Sequence, residues 1–78
     1  MTYLEVTCRY RDNLSAPVLR RLADLRGYYG IVRLHIDEEE RQLRVEYDAS
    51  RLRETDVLHM LRLAGVDITE KIELTPAA

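Results

Sequence analysis

GIVRLHIDEEERQLRVEYD, residues 30–48, decides the fold. Its front half alternates: Val32, Leu34 and Ile36 are predicted inward, Arg33 and His35 outward. Its back half alternates again, with Leu43, Val45 and Tyr47 inward and Arg44 and Glu46 outward. Two period-two runs rich in β-branched and aromatic residues, joined by the polar DEEERQ, read as an antiparallel hairpin. The acids at 37–40 then form a solvated loop.

Outward from the hairpin, the pattern changes period on both sides. Toward the N-terminus, Ser15 is the predicted cap of a helix, with Pro17 in its first turn. Leu14 and Leu19 are placed to staple the cap, and Val18, Leu22 and Leu25 form one apolar stripe. Gly27 is predicted to end this helix in a left-handed conformation. Ahead of it, Tyr3 to Tyr10 alternates, with Leu4, Val6 and Cys8 inward and Tyr3, Glu5, Thr7 and Arg9 outward. Toward the C-terminus a second helix is predicted over 53–64, with Val57, Leu58, Leu61 and Ala64 on one face and Gly65 as its stop. A last strand over 68–74 puts Ile72 and Leu74 on one side and Lys71 and Glu73 on the other.

The order is β-α-β-β-α-β, and every element has one apolar face. The fold class that buries all of them is α+β: a ferredoxin-like βαββαβ sandwich, a four-stranded antiparallel sheet with two helices on one face. The other face is left open and polar, carrying Tyr3, Glu5, Thr7, Arg9, Arg33, His35, Arg44 and Glu46. The second and fourth strands are the predicted edges, and a homodimer through an edge or the open face is open to such a fold. Residues 1–75 read as a single domain and 76–78 as a flexible tail or the start of a linker.

Composition narrows the function. The chain has 78 residues, of which 46% are hydrophobic and 33% charged, as expected of one small globular domain. No apolar run approaches the roughly 18 residues of a membrane helix, and MTYLEV does not have the pattern of a signal peptide, so the expectation is a cytoplasmic segment without membrane insertion. A net charge of −2 argues against general nucleic-acid binding. On the open sheet face only Tyr3 is aromatic, where an RNA-binding sheet would stack bases on several rings. The single cysteine, Cys8, excludes an internal disulfide. It is predicted inward as a small hydrophobe, with no histidine beside it to activate it, and no glycine-rich phosphate loop is present. The expectation is therefore no enzyme. His35 and His59 fall on different surfaces and read as ordinary surface imidazoles.

The spacing of GIVRLHI, LRVEYD and VLHMLRLAGVD resembles the heavy-metal-associated (HMA) domain, the family of small copper chaperones and of the cytosolic N-terminal domains of heavy-metal P-type ATPases. The family's glycine-valine entry to strand two stands here as Gly30-Ile31. Its valine-x-tyrosine-aspartate exit from strand three stands as Val45-Glu46-Tyr47-Asp48. Apolar residues follow that aspartate at nine and thirteen positions, and a glycine at seventeen, met by Val57, Leu61 and Gly65. The match runs without a gap from Gly30 to about Ile68. The family's metal motif, Met-x-Cys-x-x-Cys, brings two thiolates onto one soft cation such as Cu(I). Here the two thiol positions fall near Ser15 and Val18, and Cys8 lies back in the strand. No metal ligand carries over, and no cofactor is expected.

The resemblance implies a degenerate HMA-like domain that acts as a protein-interaction or regulatory module in metal transport, its partner being another protein or domain such as a P-type metal ATPase. Arg9, Arg11, Asp12 and Asn13, with the acids at 37–40 and Asp67, are expected to cluster at the former metal end as a charged docking face. A hard-cation site of carboxylates is the alternative reading of that cluster. Tyr28 and Tyr29, in the turn after the first helix, either anchor a partner or cap the core. Two other functions share the pattern: a low-affinity copper chaperone that uses Cys8, and a small-molecule sensor of the ACT type.

Overall fold

The computed structural model describes residues 2–76. The elements are β1 (Tyr3–Tyr10), α1 (Ala16–Leu25), β2 (Ile31–Asp37), β3 (Gln42–Asp48), α2 (Glu54–Leu63) and β4 (Ile68–Pro76). The sheet order is β2-β3-β1-β4 and all three pairings are antiparallel. This is the ferredoxin-like α+β architecture, with β2 and β4 as its edges.

Register explains the core. Val6 stands opposite Val45, Cys8 opposite Leu43, and Leu34 and Ile36 opposite Val45 and Leu43 from the other side. These inward rows meet Leu22 of α1 and Val57 and Leu61 of α2, all nearly or fully buried. Truncating any of these to alanine would cost about 2–5 kcal/mol. On the open face, Arg33 lies opposite Glu46, Thr7 opposite Arg44 and Arg9 opposite Glu70. Thr7 is the exception to that face's exposure, a short side chain shaded between its longer neighbours Arg44 and Glu73.

Bulges overturn two details of the alternation. In β2 the register shifts between Ile31 and Arg33. The extra residue is Val32, which is exposed, and Ile31 takes the inward place predicted for it. In β4 the register shifts opposite Thr7/Cys8, so Lys71 pairs with Cys8 on the helix face while Glu73 pairs with Thr7 on the open face. Lys71 there reaches Glu54 of α2 at 3.1 Å. The two residues predicted to share a side are thus on opposite faces, because one added residue inverts the pleat. β4 also runs further than expected: Thr75 and Pro76 pair with Glu5 and Leu4. Of the predicted tail, 77–78 lie outside the described residues. The bulges bend both edges, and Arg26 donates to the Leu34 carbonyl of β2 at 3.4 Å. Both edges therefore carry devices that oppose pairing with another strand.

The helix ends follow their caps. Ser15 Oγ accepts from the Val18 amide, and Pro17 sits in the first turn. Asp56 accepts from the Arg53 backbone N–H at 2.9 Å and so caps the start of α2. At its end Gly65 has φ +108, its N–H reaches the Arg62 carbonyl and the Val66 N–H reaches Leu61, a Schellman closure with Val66 buried behind it. α1 ends differently from the prediction. Its last residues close right-handed turns, with Arg26, Gly27 and Tyr28 donating three residues back. The left-handed residue is Gly30, φ +95, at the third position of a turn closed by the Ile31 N–H on the Tyr28 carbonyl. A β-carbon on Gly30 would sit 2.8 Å from the Leu52 side chain. Tyr28 and Tyr29 are held out on that turn.

Candidate functional site: the two ends of the helix layer

The charged cluster predicted at the first turn assembles. The Arg11 N–H donates to the Asp67 carbonyl at 3.0 Å, and its guanidinium stands 3.7 Å from the Asp67 carboxylate. Arg9 pairs with Glu70 at 2.9 Å. The hairpin folds over the same end: the Tyr10 N–H donates to the Arg41 carbonyl, and the Arg41 guanidinium donates to the Arg11 carbonyl at 3.1 Å. Arg41 adopts φ 53 there, an unusual conformation for a side chain of its size. Asn13 lines the same polar depression as Glu38, Glu39 and Glu40, and Asp12 is exposed. Among the described residues no three His, Cys, Asp or Glu side chains converge as a metal-binding group.

Cys8 lies beneath this end, fully buried in the core. Burial pushes its thiol up to about 11, from an ordinary value of 9.0, and a hydrogen bond with the Leu43 backbone offsets this only in part. The nucleophilic and metal-binding form of cysteine is the thiolate, which this environment disfavours.

Tyr28 and Tyr29 are not part of that cluster. They follow the far end of α1, a ten-residue helix of about 15 Å. They do not cap the core: they are 54% and 65% exposed. Arg51 stacks on the Tyr29 ring, 4.3 Å from its centroid, and donates to the Asp48 carboxylate at 3.1 Å. Asp48 is buried and also accepts from the backbone and hydroxyl of Ser50. The Ser50 hydroxyl is the main reason its carboxyl is held below 3.8, with Arg51 adding to the effect. The Asp48 N–H in turn donates to the Gly30 carbonyl at 2.8 Å. The two landmarks of the opening sequence, the glycine before β2 and the aspartate that ends β3, are thus hydrogen-bonded partners that position the tyrosine turn.

Two adjoining depressions lie beside the tyrosines, one of about 340 Å³ between α1 and α2 and one of about 420 Å³ between the tyrosine turn, Leu52 and α2. Tyr28, Met60 and Leu63 belong to both; Leu25 and Ala64 line one, Leu52 and Tyr29 the other. Leu63 is 70% exposed, more than any other large apolar side chain of the described residues. Neither Leu63 nor Met60 is singled out by the sequence pattern of one buried stripe. The signal was present. α2 carries Val57, Leu58, Met60, Leu61 and Leu63, a wider apolar arc than one buried stripe requires.

No helix among the described residues is long and apolar enough to cross a membrane. Compared with known proteins, the chain matches no family model and no curated relative.

Proposed function

We propose that this chain is an HMA-like domain without the thiolate pair, which works by binding another protein in a cytoplasmic metal-transport or metal-handling system, such as a P-type metal ATPase. The spacing from Gly30 to Gly65 supports the kinship. The observation that carries the binding role is the apolar groove between the helices. A chain this small has few large side chains to bury, yet it leaves Tyr28, Tyr29 and Leu63 exposed side by side. Large apolar and aromatic residues around a depression are what a partner's anchors fill.

The copper-carrier alternative asks Cys8 to act as a thiolate, and its burial and raised pKa weigh against that. The test is a titration of the reduced protein with Cu(I) against a competing chelator, beside Cys8→Ser. Under the binding-module reading neither protein competes for the metal. Stoichiometric, tight Cu(I) binding that Cys8→Ser loses would overturn it in favour of a metallochaperone.

A further inference from the structure

We infer that Arg51 is a positioning residue for Tyr29, a latch that fixes one exposed aromatic of the proposed docking surface before any partner arrives. This deepens the interaction reading above and rests on it. Tyr29 is 65% exposed, and an aromatic side chain that far out in water ordinarily samples several staggered rotamers. Its ring is not left to do so. The Arg51 guanidinium stands 4.3 Å from the ring centroid, within the range of a cation–π contact. Among the described residues no cation stacks on its neighbour Tyr28, which is 54% exposed.

The contact is a latch because Arg51 is itself held. Its Nε donates to the Asp48 carboxylate at 3.1 Å, and its backbone N–H donates to the Asp48 carbonyl at 3.0 Å. The Asp48 side chain is 5% exposed and accepts from the Ser50 amide and hydroxyl, so the carboxylate under Arg51 is fixed in turn. A planar guanidinium can bond in its plane and stack on its face at once, which an ammonium cannot. Asp48 reaches the tyrosine turn from a second direction, its N–H donating to the Gly30 carbonyl at 2.8 Å. One buried residue thus restrains Tyr29 twice, through the main chain beside it and through a cation on its ring. Tyr29 lines the depression that Leu52, Met60 and Leu63 also line, so its rotamer sets the shape of that wall. A ring already in one rotamer loses less freedom when a partner seats on it, which is how preorganisation raises affinity.

The test is made on the free, isotope-labelled protein, so failure of the latch leaves the interaction reading standing; that reading fails separately, by the Cu(I) titration. The χ1 couplings and ring relaxation of both tyrosines are measured, with the side-chain shifts of Arg51. In the unaltered protein Tyr29 is expected to hold one χ1 rotamer and to displace the Arg51 δ-protons upfield by its ring current, while Tyr28 averages. Arg51→Gln is expected to release Tyr29 to averaging like that of Tyr28 and to leave the core amides in place. Asp48→Asn removes the charge that holds Arg51, and is expected to reduce the upfield displacement and to average Tyr29 in the same direction. A Tyr29 that averages as much as Tyr28 in the unaltered protein, or that keeps its rotamer in Arg51→Gln, would overturn the latch. Core amide shifts in Arg51→Gln as large as those at Tyr29 would overturn it too, by making Arg51 a residue of the fold and not of the surface.

Discussion

The two ends of the helix layer differ in how much they have left to offer. At the first turn, Arg9, Arg11 and Arg41 are each committed, to Glu70, to Asp67 and to the Arg11 carbonyl. At the groove, Tyr28, Tyr29 and Leu63 are exposed. Where the cluster's cations are already engaged, a new contact to them must replace an old one. An apolar strip gains by every Å² it loses to water, about 25 cal/mol. On the reading proposed above, the helix groove rather than the first turn is the working surface.

The largest test of that division is Gly30→Ala. It forces a side chain into φ +95 and against Leu52, which borders the groove. The expected loss is about 3 kcal/mol in denaturant unfolding, with the amide shifts concentrated at the tyrosine turn. A near-neutral result would mean that the Gly30–Asp48 tie does not hold the turn as described.

Leu63→Glu separates function from folding. The side chain is mostly exposed, so stability should change by less than about 0.5 kcal/mol. Partner binding at the groove should nevertheless fall by more than about tenfold, since an anchor is lost. Loss of stability with unchanged binding would reverse the assignment of that residue.

Asp48 gives the account a pH dependence. Its folded carboxyl titrates below its ordinary 3.8, so the ionised form stabilises the fold above that value. That contribution is lost as pH falls through the lowered folded value, and the protein should stay insensitive to this group from neutral pH down to about 5. Asp48→Asn should flatten the acid limb of a Tm-against-pH profile and loosen Arg51 from Tyr29. An acid limb unchanged in the variant would show that other carboxylates carry it.

The smallest effect is expected from Arg11→Ala. Its pair with Asp67 is solvent-exposed and long, so it should cost under about 1 kcal/mol. Partner binding at the groove should be unaffected. A large drop in binding would move the working surface back to the turn.

Much of the fold is legible in the sequence because alternation, caps and glycine stops agree. Ser15, Pro17 and Gly65 do locally what their chemistry predicts, and 30–48 folds as the hairpin its period requires. The misreadings have one cause. A bulge adds a residue and shifts the pleat, so Val32 turned outward and Lys71 moved to the helix face. No local pattern announces a bulge. Gly27 misled for a related reason: two glycines flank the tyrosines, and only the turn geometry decides that Gly30 takes the positive φ. The charged cluster was legible from topology, because three loops must meet at one end of this fold. The groove was not, because it forms only where Leu25 and Tyr28, at the end of α1 and in the turn after it, meet Met60 and Leu63 of α2, far along the chain.

The most direct test adds Cu(I) to one reduced, isotope-labelled sample, following every amide. The account predicts that residues 9–18 stay in place. Stoichiometric shifts at 9–18 would contradict it.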